Sequence, residues 1–324
     1  MTSDRRLCGH ALFFFVLGGI PATSPAIAED SATTPADVYA RVAETRAEIE
    51  LIRFEMGRPR HARPEIAVSG IAPREVFFQV LTLFEKANRL GFEQTRTRAE
   101  RPLEPSTDPT PADVLRVVDA ALSRLRAVKA DLGIVSNVSV PPVDPSKRPV
   151  DVFKSIVQAN RQLSLLLVRR FSPSDVYEQV TVAIGYAARL RSLFPGNRVP
   201  PAPAREAGKR PQDVYRLLID CLNTVKLIAA TSGLSIATLE ASEEEIGAAR
   251  PSDVYDISSL LVAELAFLHQ QPGALDAPRP AYYPGRKFPS DVYQRAGRLK
   301  IQLDELQVLA KTRPDWLRPG TTGK

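Results

Sequence analysis

One short pattern recurs along this chain and limits what it can fold into. Pro-x-(Asp/Glu)-Val-(aromatic or Leu) occurs eight times, beginning at Pro35, Pro73, Pro111, Pro149, Pro173, Pro211, Pro251 and Pro289. The intervals are 38, 38, 38, 24, 38, 40 and 38 residues. A fixed period of this length marks a repeat of one supersecondary unit, which stacks on its neighbours to bury a shared core. The single short interval divides the units into four plus four. Shifts of 138, 138, 140 and 140 residues carry the first set onto the second, as a duplicated four-unit domain would.

Each unit reads as a helix start. Proline suits the first helical position, where its missing N–H would go unpaired anyway. Thr34, Thr110 and Ser172 precede it as good N-caps, and the acid at the third helical position completes a capping box. The same acid favours the positive end of the helix dipole. Arg148, Arg210 and Arg250 stand at the cap position in three other units, and arginine is a poor cap. After each proline the apolar residues keep steps of three and four, as in Val214, Leu218, Cys221, Val225 and Ile228. The same register runs through all eight units. It predicts an all-α fold with eight long helices, arranged as two tandem four-helix bundles. The expected domains are 29–171 and 172–312, followed by a flexible tail at 313–324 in which Trp316 is available as an anchor.

The connections are long for a bundle. Residues 58–72, 134–148 and 234–250 carry Ile66, Val68 and Ile71, or Ile134, Val135, Val138, Val140 and Val143, or Ile236, Leu239 and Ile246, and the connections also hold Pro141-Pro142, Pro200-Pro201 and Pro203, which favour extended backbone. They read as ordered extended segments packed along the bundles. Fifteen extended residues span roughly 50 Å, enough to return along a whole helix. Parallel helices are therefore possible within a bundle, but antiparallel neighbours are favoured because aligned dipoles repel. The short interval around Phe171-Ser172-Pro173 predicts either a fixed relation between bundles or a kinked rod made of the fourth and fifth helices.

Residues 1–28 read as a secretory signal peptide. Arg5 and Arg6 are followed by an apolar core, Ala11 to Ile20, then Pro21 and a cleavage pattern at Ala26-Ile27-Ala28. The apolar core is too short to span a bilayer. The expected mature chain is periplasmic or secreted, has no transmembrane segment, and keeps one cysteine, Cys221. An internal disulfide is then excluded.

Little in the sequence supports catalysis. There is no Cys-x-x-Cys-His, P-loop, dinucleotide fingerprint or Gly-x-Ser-x-Gly. His61, beside Arg58, Arg60 and Arg63, and His269, five residues after Glu264, lack co-ligand spacing. No cofactor, metal site or catalytic residue is expected. The leading expectation is a non-enzymatic scaffold with an envelope protein as partner. A net charge of +6, with basic connections such as Arg205, Lys209 and Arg210, also suits a polyanionic envelope surface, but nucleic acid is not expected as a partner. The alternative is a small-ligand protein. Its site would lie between the bundles, or at helix N-termini where Asp175, Asp213, Asp253 and Asp291 stand near Tyr177, Tyr215, Tyr255 and Tyr293.

Overall fold

The computed structural model describes residues 32–60, 63–105, 108–196, 200–273, 276–279, 281–282 and 284–317. The signal-peptide reading falls on residues 1–28, outside the described residues. Among the described residues the fold is all-helical apart from one small ribbon. Eight long helices each begin at a repeat proline: α1 (Pro35–Glu55), α2 (Pro73–Thr95), α3 (Pro111–Asp131), α4 (Pro149–Leu166), α5 (Pro173–Arg191), α6 (Pro211–Thr231), α8 (Pro251–Gln270) and α9 (Pro289–Thr312). A short α7 (Glu243–Gly247) precedes α8. Two strands, β1 (Ala67–Ser69) and β2 (Thr238–Glu240), pair antiparallel with Val68 opposite Leu239. The sequence reading had both connections as extended segments packed along the bundles and did not foresee this pairing. No described helix is long and apolar enough to cross a membrane.

All eight starts share one local geometry. The residue before each proline is extended, as clash with the proline ring requires, with φ between −98° and −114° and ψ between 162° and 168°. Its backbone N–H donates to the carboxylate three residues on. The distances are 2.8 Å for Thr34 to Asp37 and for Ala72 to Glu75, and 2.7 Å for Arg210 to Asp213 and for Arg250 to Asp253. This accounts for arginine at the cap. The carboxylate works on the backbone, so the side chain before proline need not cap. Where Thr34, Thr110 and Ser172 are present, the hydroxyl also accepts the N–H of the acid, closing the box.

The three-four register forms the core. From Val76 to Leu90 in α2, and from Val292 to Leu306 in α9, every register residue is at most 3% exposed. Helices α1 to α4 pack as a ring in the order α1–α3–α2–α4, and α5, α6, α8 and α9 as a ring in the order α5–α8–α6–α9. Consecutive helices α1 and α2 therefore lie across a diagonal, as do α3 and α4, α5 and α6, and α8 and α9.

Within each ring the helices are parallel, against the antiparallel expectation. Pro35, Pro73, Pro111 and Pro149, with the valines three residues after each, surround one small cavity; the prolines and valines of the other four helices surround a second. Ion pairs agree, since Arg41–Asp119, Glu44–Arg126 and Glu48–Lys129 advance together along α1 and α3. Dipole repulsion is too weak to forbid this, and each N-terminus carries its own carboxylate. The long connections are the return strokes. The α5–α6 connection descends along α9, with Pro203 against Gly297, Arg205 paired with Asp291 at 2.6 Å, and the Lys209 N–H on Ser290 Oγ at 3.2 Å. The α8–α9 connection descends along α5, from Pro278 over Gly185 to Lys287 at Ser174.

The 24-residue interval has no return stroke. The chain leaves α4 at Leu166 and starts α5 at Pro173, so the second ring begins where the first ends and runs the other way. Contacts between the rings show it: Arg74 meets Glu264, and Lys86 meets Asp256, in descending order along α8. Helix α5 is thus reversed relative to α4, and the kinked-rod alternative does not hold.

The tail differs from expectation as far as residue 317. Trp316 is wholly buried beside Phe194, with ring centroids 5.3 Å apart, and Ser232 Oγ donates to the Pro314 carbonyl at 3.0 Å. A side chain of this size buries more apolar area than any other, which is enough to hold a short terminal segment.

Candidate functional site

The helix N-termini were the first candidates. Asp175, Asp213, Asp253 and Asp291 do gather at one end of the second ring, but each carboxylate accepts the N–H of its own cap residue, at 2.7 to 2.9 Å. Arg205 holds Asp291 below the usual carboxylate range, and Arg63 donates to Asp253 at 2.6 Å. The inner surface at that end is made of prolines and valines, with no polar side chain among its lining.

The tyrosines do not gather. Tyr177, Tyr255 and Tyr293 each lie against a residue from a ring neighbour. Lys287 lies 4.9 Å above the Tyr177 ring, Lys209 lies 4.0 Å above Tyr293, and Phe171 stacks on Tyr255 at 4.3 Å. Lys147 lies 4.8 Å above Tyr39 in the other ring. In all four cases the partner stands two residues before the proline of the neighbouring helix. The aromatic of the motif is therefore a latch between parallel neighbours, with cation–π attraction in three of them. Tyr215 is buried where the two rings meet, near Arg161, Asp253 and Asp256. Burial raises the pKa of both Tyr215 and Tyr255 above the ordinary phenol range.

The junction of the rings concentrates the buried charge. Lys86 is fully buried and pairs with Asp256 at 2.7 Å; its ammonium also reaches the Asn160 carbonyl at 3.4 Å. Burial raises Asp256, and Lys86 opposes that. Arg161 donates to Glu245 at 2.7 Å and to the Pro64 carbonyl at 2.8 Å. Arg74 sits between Glu75 and Glu264 and over the Phe267 ring. Burial, with Glu75 alongside, pushes Glu264 up to about 8.

Beside this network lies the larger of the described recesses, a cleft of about 510 Å³. Its walls are the α1–α2 connection, the end of α4 and the first turn of α8. Five arginines line it: Arg58, Arg63, Arg161, Arg170 and Arg250. The one acid in the lining is Asp253, which is already held by Arg63 and by its cap. Sequence reading flagged Arg58 and Arg63 as a basic loop and Arg250 as an unexplained cap, but did not join them; Arg161 and Arg170 were missed. No sequence signal set Arg250 apart, since Arg148 and Arg210 occupy the same cap position and differ from it only in being exposed.

No protein-family model, curated protein or solved structure matches this chain.

Other candidates fall to structural roles. Cys221 is fully buried, and burial raises its thiol pKa. His269 is buried against Tyr186, with Nε2 3.1 Å from the Asp276 carbonyl, and burial lowers its pKa. His61 lies outside the described residues. No group of three or more His, Cys, Asp or Glu among the described residues could hold a metal ion. Several basic loop residues are spent internally: Arg60 on Glu50, Arg101 on Glu104 and Arg205 on Asp291.

Proposed function

We propose that this chain is an exported, non-enzymatic helical scaffold, a duplicated four-helix repeat forming two tandem bundles, that binds another protein of the cell envelope. Export rests on the leader-like segment at residues 1–28. The observation that carries the binding role is the α3–α4 connection. Whereas Ile66, Ile236 and Leu239 of other connections are buried, Val135, Val140 and Val143 stand 91%, 65% and 53% exposed. Val140, with Ile134 and Val138 of the same connection, lines a recess of about 400 Å³ edged by Glu44, Glu48, Arg126 and Lys129. Apolar side chains held out in one ordered connection, with charge at the rim, suit a protein contact. The test is a pull-down from envelope extract with the protein and with Val135→Ser/Val140→Ser/Val143→Ser. A reproducible partner that the triple variant loses supports the scaffold reading; no partner, or one retained by the variant, overturns it.

A second reading, small-ligand binding between the bundles, is favoured by the arginine-lined cleft. The Asp and Tyr residues at the helix N-termini contribute less to it, because their polar groups are already engaged.

A further inference from the structure

We propose that the cleft between the rings binds a small soluble oligoanion, a molecule with two or more phosphate or carboxylate groups. This rests on the small-ligand reading of the same cleft and names the chemistry it takes.

The charge inventory points to it. Arg63 is neutralised by Asp253 at 2.6 Å, and Arg161 by Glu245 at 2.7 Å. Among the described residues, the side chains of Arg58, Arg170 and Arg250 have no hydrogen bond or ion pair to any carboxylate. The Nε of Arg58 is buried without a partner. Three arginines without a carboxylate partner thus line one cleft, whose single acid, Asp253, is taken up by Arg63 and by its own cap. Like charges held together repel, and each arginine offers a planar fork that matches phosphate or carboxylate oxygens.

Arg250, Pro251, Ser252 and Asp253, the first turn of the 20-residue helix α8, form one wall of the cleft; the Asp253 carboxylate already caps that helix end, so the backbone N–H before Pro251 is spent and the arginines carry the anion. The volume, about 510 Å³, lies within the range of small-molecule sites. Leu165, Pro59 and Phe171 supply apolar wall, which suits an organic molecule carrying the anions.

Arg250 makes the proposal separable from folding. Its side chain does no capping, since the cap bond is made by its backbone N–H. Replacing it with serine supplies a better N-cap and removes a repelled charge. Arg250→Ser should therefore melt at or above the wild-type temperature in the absence of ligand, while losing affinity.

The experiment is calorimetric titration of the protein with sodium pyrophosphate, and separately with citrate, at low ionic strength. At least one of the two should bind at a single site. The dissociation constant should rise at least tenfold in Arg58→Ala/Arg250→Ser and stay unchanged in Arg279→Ser/Arg286→Ser, a pair of exposed arginines far from the cleft in sequence. Equal affinity in the wild type and the cleft variant overturns the proposal, as does the absence of binding by both anions at millimolar concentration. If a thermal-shift screen instead finds a neutral or cationic compound whose binding Ser164→Trp abolishes, the oligoanion proposal fails while the small-ligand reading survives.

Discussion

At the scale of single residues, the acid of the repeat does the same work eight times. It holds the backbone N–H before the proline, whatever side chain that residue carries. Removing it should therefore matter more than changing the cap residue. Asp213→Ala should lower unfolding free energy by about 1 kcal/mol, the usual loss for a helix cap. Arg210→Ser in the same helix should raise it by up to about 1 kcal/mol, because serine adds the second half of the box. Urea midpoints of the two variants should therefore move in opposite directions. This residue-level logic was readable in the sequence as far as the carboxylate was concerned. The role of the arginines was not, because an N–H bond to a side chain three positions on leaves no mark on the identity of the cap residue. The tyrosines were misread for a related reason: a latch onto a neighbouring helix depends on which helix lies alongside, and spacing alone does not say.

At the scale of elements, the helices were legible and their directions were not. Prolines fixed the starts, and the three-four register marked the buried face from Val38 onward. Both patterns are local. Whether neighbours run parallel is decided by where the connections go, and that depends on contacts such as Pro278 on Gly185. A Cβ built at Gly185 would stand 2.7 Å from the Pro278 Cβ, closer than carbon atoms pack. Alanine is favoured over glycine in a helix by about 1 kcal/mol. Overpacking costs about 1–3 kcal/mol, so the clash should win. Gly185→Ala should thus lower the melting temperature and speed proteolytic cleavage within residues 271–288, where the connection lifts off α5. Unchanged cleavage there would mean the connection is not held by this contact. The exposed valines of the α3–α4 connection show the limit of reading such segments from sequence. Val135 and Ile236 occupy similar apolar stretches, yet one faces solvent and the other the core.

At the scale of the whole molecule, a buried acid at the junction of the two rings ties stability to pH. Glu264 is buried beside Glu75 and keeps its proton up to about pH 8, against an ordinary value of 4.5 for an exposed side chain. As pH rises from 4.5, the unfolded chain releases that proton while the folded chain retains it. The unfolded state then binds fewer protons, so stability falls with rising pH until about 8 and then levels off. Glu264→Gln keeps the shape and removes the titration. The urea midpoint of the wild type should fall between pH 5 and pH 8, and that of Glu264→Gln should fall less. The arginine cleft also exists only at this scale. Its residues come from positions 58 to 253, and no window of sequence holds enough of them to show convergence. Helices α1 and α2 are diagonal rather than neighbouring in the ring, as are α5 and α6, so the first two units of each half share no helix–helix seam in the folded protein. Within each half the first native seam involves the third helix, so neither bundle is a stack of consecutive hairpins.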